Sequence, residues 1–201
     1  MKGKNTCCKA HPFKEDAVEI PPLILKQHND LVLSIDVMFV NGLPHFTSID
    51  RSICFRGCVP MDNRTPDELY RCIDEVLRCY NSAGFFVKTI SCDNKFKPLM
   101  DPVKDNMDVS MNYCPAGEHE SAAERNNQTI GEHICTTYNH LPYRAIPKVM
   151  LRYLVMICTD QLNFSLLKAI FCLISVHMLL CLAVTWTTTS IFKSRLELLS
   201  K

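Results

Sequence analysis

A chain of 201 residues, 47% of them apolar, has room for one domain of ordinary size with tails and enough apolar matter to bury a core. Its 22 basic and 21 acidic residues leave a net charge of +1, which excludes a chain dominated by one sign and leaves any contact with a polyanion to local clustering. Twelve cysteines would suit a small secreted disulfide scaffold, but Met1 to Asp16 contains no apolar export segment. The expectation is therefore an intracellular, reduced protein, nuclear or cytoplasmic, whose thiols act as small hydrophobes.

Residues 1–30 are polar and broken by Pro12, Pro21 and Pro22, and read as an extended N-terminal arm. Within it Cys7, Cys8 and His11 lack a second ligand pair at zinc-finger spacing, the next histidine being His28. Leu31 to Val40 is almost continuously apolar, which predicts a strand buried on both faces and interrupted by one charge, Asp36. Asn41-Gly42 is a tight-turn pair, after which His45 to Ile49 and Ser52 to Val59 read as two antiparallel strands.

Thr65, with Glu68 three residues on, opens a helix whose apolar positions Leu69, Cys72, Ile73, Val76, Leu77 and Tyr80 share one face. Gly84 ends it, and Phe85 to Cys92 predicts a fourth strand that delivers Asp93 at its C-terminal end. A Pro-containing loop leads to a short strand near Val109 to Tyr113. The loop from Cys114 to Gly117 then opens a helix over about Glu118 to His140, with Glu124 in its second turn. Pro142 and Pro147 precede a last helix, roughly Lys148 to Thr159. The predicted class is α/β: a core over residues 31–165 with a mixed five-stranded sheet flanked by helices, its meander joined to a parallel strand through a helix.

Asp36 is the most informative residue, because an ionised carboxylate in a buried strand costs several kcal/mol, roughly, unless it is paired or holds a metal. A crossover connection sets the fourth strand beside the first and brings Asp93 near Asp36, and the following helix can lay Glu124 over the same edge. Three converging carboxylates suit two Mg²⁺ (or Mn²⁺) ions about 3.5–4 Å apart, the arrangement that activates an attacking oxygen and stabilises a leaving one in phosphoryl transfer. With 21 acids in the chain, spacing alone does not single out this triple. The Glu118-His119-Glu120 group reads first as acids placed at a helix start. Cys92 with His119 lacks any nucleophile-elbow or family-specific cysteine signature of a thiol hydrolase.

The segments Ser34 to Phe46, Ile90 to Phe96 and Glu118 to Arg125 together resemble the integrase catalytic core of copia-type retrotransposons and related retroelements, over about residues 18–165. The resemblance implies an RNase H-like fold and an Asp, Asp, Glu catalytic and metal-binding set, with Asp36, Asp93 and Glu124 in those places. It implies a polynucleotidyl transferase that cleaves or transfers DNA strands with Mg²⁺ or Mn²⁺, with DNA as partner and homo-oligomers as the working form. Leu141-Pro142, Ile146-Pro147 and Leu162-Asn163 look like the family's later helix landmarks. The interval between Asp93 and Glu124 is somewhat shorter than the family's.

Gln128 and Gly131 stand where the family presents basic residues to the DNA backbone, and no zinc-binding N-terminal domain or basic C-terminal domain is recognisable. Each lost phosphate contact lowers affinity and its salt dependence, and a glycine inside a helix costs about 1 kcal/mol against alanine. Those departures raise a second reading, a catalytically decayed RNase H-like module that binds nucleic acid or protein. Residues 166–201 form an apolar tail, and 169–186 contain no Lys, Arg, Asp or Glu. That stretch reads as a membrane span, a buried helix or a spurious translation, and the span gives a third reading, a small membrane-anchored protein.

Overall fold

The computed structural model describes residues 22–28, 30–114, 120–143 and 145–165. Along the chain it contains helix α1 (Pro22–Gln27), strands β1 (Asp30–Val40), β2 (Leu43–Asp50) and β3 (Arg56–Pro60), helix α2 (Pro66–Ser82) and strand β4 (Phe86–Cys92). A 3-10 turn (Asn94–Leu99), α3 (Met100–Met107), β5 (Ser110–Tyr113), α4 (Ser121–His140) and α5 (Lys148–Ser165) follow. The sheet order is β3-β2-β1-β4-β5, a mixed five-stranded α/β architecture as expected. The β1–β2 and β2–β3 pairs are antiparallel, whereas β1–β4 and β4–β5 are parallel.

Alternation along β1 assigns its two faces. Leu31, Leu33, Ile35 and Val37 join Phe46, Ile90 and the apolar face of α2 in the main core. The opposite face carries Ser34, Asp36 and Met38, and Met38 packs with Ile130 and Ile134 of α4 and Val155 and Cys158 of α5. The sheet is thus covered on both sides, which is why β1 is apolar almost throughout. Asp36 lies on the α4 side.

Four expectations change in detail. The last part of the extended arm is helical, since Pro22–Gln27 forms α1 with Pro22 at its first position, where a missing N–H costs nothing. The third strand begins at Arg56 instead of Ser52, because Asp50 Oδ1 accepts hydrogen bonds from the backbone N–H groups of Ser52 (2.8 Å) and Ile53 (2.7 Å) and from Ser52 Oγ (2.7 Å). That side chain builds a turn, with Cys54 at φ 54°, where a continuous strand was expected. Helix α3 replaces part of a loop, its Pro102 falling in the first turn, where proline is tolerated. Helix α4 starts at Ser121, so Glu124 lies in its first turn and not its second.

Thr65 does occupy the N-cap of α2, but its side chain makes no capping hydrogen bond. Its hydroxyl donates to Asn63 Oδ1 at 2.6 Å, and Glu68 pairs with Arg71 at 2.8 Å.

Candidate functional site

Asp36 sits mid-strand with a side chain only 16% exposed, so its charge requires partners. It has three. The Val37 backbone N–H donates to Oδ1 at 2.7 Å, Asn127 Nδ2 of α4 donates to Oδ2 at 2.7 Å, and the Lys95 ammonium ion-pairs with Oδ1. Thr47 is the cross-strand neighbour of Asp36 on β2, and its hydroxyl donates to Asn127 Oδ1 at 2.7 Å. The Asn127 amide is therefore held at both ends and ties α4 to the two central strands.

The parallel register of β4 against β1, with Ser91 beside Ser34, carries the end of β4 to the same edge. Asp93 follows directly as the N-cap of the 3-10 turn, and its carbonyl accepts the Phe96 N–H at 3.1 Å. Phe96 is fully buried and meets Phe46 edge-to-face at 6.3 Å between centroids. That anchor fixes the turn and holds the preceding residue, Lys95, at the edge, with Nζ 5.5 Å from the Phe96 ring centre. From there Lys95 Nζ also lies 3.7 Å from Asp93 Oδ2. Asp36 and Asp93 thus converge on one cation, and that cation is Lys95.

Glu124 is exposed on the first turn of α4, three residues before Asn127 and so on a neighbouring part of the same face. The helix is pinned on either side of it. Glu120, buried, accepts from Ser34 Oγ at 3.0 Å and forms an ion pair with Arg51, and Asn127 makes the contacts to Asp36 and Thr47. Among the described residues no three His, Cys, Asp or Glu side chains are grouped so as to hold a metal ion. The structure brings Asp36 and Asp93 together and leaves Glu124 outside the pair. With an ammonium already between the two aspartates and no third carboxylate gathered, the residues as arranged do not fit a two-metal centre.

Of the thiol-hydrolase candidates, the described residues include Cys92 alone. Burial pushes the Cys92 thiol up to about 12, which rules out a ready thiolate, and Glu118 and His119 lie outside the described residues. Gln128 donates to Glu132 at 2.9 Å, and a Cβ added at Gly131 would meet nothing within 4 Å. No described helix is long and apolar enough to cross a membrane, and the tail 166–201 lies outside the described residues. Sequence reasoning missed two residues of this cluster, Lys95 and Asn127. The signals were modest: a lysine two residues after Asp93, and an amide one helical turn after Glu124.

No protein-family model matches the sequence, and no curated protein matches it. Among solved structures the chain is similar to the catalytic core domain of BIV integrase, at 10% identity and a TM-score of 0.52, over 66% of this chain and 82% of that one. At that identity the likeness establishes the fold, the RNase H-like fold of an integrase catalytic core.

Proposed function

We propose that residues 31–165 are a retroelement integrase-type core, of the copia-type lineage whose motifs they resemble, acting inside the cell as a nucleic-acid-binding module with its strand-cutting chemistry silenced. Asp36, Asp93 and Glu124 are the positions of the ancestral catalytic and metal-binding set. One observation carries this reading: the carboxylates of Asp36 and Asp93 converge at the edge of β1 and β4, where their shared cation is the Lys95 ammonium.

The same convergence also favours a second reading, a working polynucleotidyl transferase that uses Mg²⁺ or Mn²⁺ on DNA, as a homo-oligomer. Glu124 would then have to join the aspartates, and Lys95 to leave them. One experiment separates the readings: the full chain is incubated with Mn²⁺ and a branched strand-transfer DNA, beside an Asp93→Asn control. The silenced module retains DNA with a measurable salt slope and yields no resolved product. Product that the control abolishes would establish the transferase.

A further inference from the structure

A cation between two carboxylates is what an acidic pair at the edge of a sheet requires, and here the chain supplies its own. Lys95 Nζ contacts Asp36 Oδ1 and lies 3.7 Å from Asp93 Oδ2, while the opposite oxygen of Asp36 is taken by Asn127 Nδ2 at 2.7 Å. We propose that Lys95 is a built-in counter-ion that takes the place of a divalent metal between Asp36 and Asp93, so that this edge of the sheet is refractory to divalent cations. The inference rests on the site named under the proposed function.

Charge and placement support it together. Two carboxylates and one ammonium leave a single negative charge, so a divalent ion entering beside Lys95 meets half the attraction and a like charge at contact distance. Lys95 is placed for this role: Asp93 caps the 3-10 turn, Phe96 locks that turn into the core against Phe46, and the Lys95 ammonium stands 5.5 Å from the Phe96 ring centre. A lysine ammonium is also a compact point charge, able to sit between two oxygens as a small cation does. Its side chain is 42% exposed, so the ammonium excludes a metal by occupancy and repulsion, without sealing the site.

The test uses the full chain and Mn²⁺ alone, read by the loss of the free Mn²⁺ paramagnetic signal and by the melting temperature. Lys95→Gln is expected to bind Mn²⁺ at least about tenfold more tightly than the wild type, or ~1.4 kcal/mol, and to melt higher as Mn²⁺ is added. Adding Asp93→Asn to that variant removes both gains. Lys95→Met keeps a long unbranched side chain without the charge and replaces the glutamine variant if that one does not fold. Equal Mn²⁺ affinity in wild type and variant, or a folded variant that gains none, overturns the inference. Retention of DNA by the wild type is measured alongside: its failure counts against the proposed function and leaves the cation exchange standing.

Discussion

Asn163 closes the free edge of the sheet. The side chain, fully buried near the end of α5, accepts the Arg56 backbone N–H at 2.9 Å and donates to the Arg56 carbonyl at 2.8 Å. Because β3 pairs with β2 on one side only, these two main-chain groups face away from the sheet, and the amide acts as a one-residue substitute for a missing strand. Asn163→Leu keeps the branched heavy-atom skeleton and opens no cavity, while two half-buried backbone groups lose their partners at about 1–3 kcal/mol each. After an apolar gain of about 1 kcal/mol the expected loss is roughly 1–5 kcal/mol. That corresponds to a fall of roughly 3–15 °C in melting temperature for a domain of this size. Urea unfolding should show a lower midpoint at unchanged slope, and amide exchange should show Arg56 losing its protection. A loss under about 1 kcal/mol with Arg56 still protected would refute this account of the edge.

Three further outcomes are expected. Gly131→Ala, at a helical site with nothing within 4 Å of an added Cβ, should stabilise the chain by about 1 kcal/mol, and a lower melting temperature would show that the glycine has a packing role. Asp160 lines a cavity of about 330 Å³ between β3, α2 and α5, and burial pushes its carboxyl up from 3.8 to about 6. The folded state then binds more protons than the unfolded one across that window, so stability falls as pH rises from 3.8 to about 6 and stays reduced above it. Asp160→Asn should therefore match the wild type at low pH and exceed it by about 1–3 kcal/mol at neutral pH, measured by urea unfolding at both; equal stability at neutral pH would count against the burial cost. Burial also pushes the Cys58 and Cys79 thiols up to about 12. Iodoacetamide at neutral pH should label the exposed Cys54 and Cys135 in the native protein and reach Cys58, Cys72 and Cys79 only after unfolding, as mass spectrometry of the peptides would show.

What could be read from the residues follows the range of the forces involved. Helix α2 and strands β1 and β4 were legible because apolar periodicity records the face each presents to the core, and Asp36 stood out as one charge in an apolar run. The turn at residues 51–55 was not, since Ser52 to Val59 has the apolar content of a strand and only the Asp50 side chain breaks it. Helix α3 was hidden by Pro98 and Pro102, residues that end helices from within but are tolerated near their starts. In the candidate site, sequence led to Asp36 and Asp93 at one edge. The contacts that complete it join residues 59 and 91 positions apart, Lys95 to Asp36 and Asn127 to Asp36, and no local pattern encodes such pairings.

The two attachments of α4 bear on how this chain changes over generations. Glu120 and Asn127 hold the helix to β1 and β2, and substitution at either would cost the fold directly. Glu124 stands exposed between them on the first turn, where the helix dipole favours an acid. Purifying selection for folding alone would weigh more on the buried attachments at 120 and 127 than on the exposed position 124. A glutamate kept at 124 across many descendants would record continued demand on that carboxylate, whereas scatter there beside an invariant Asn127 would date the loss of that demand.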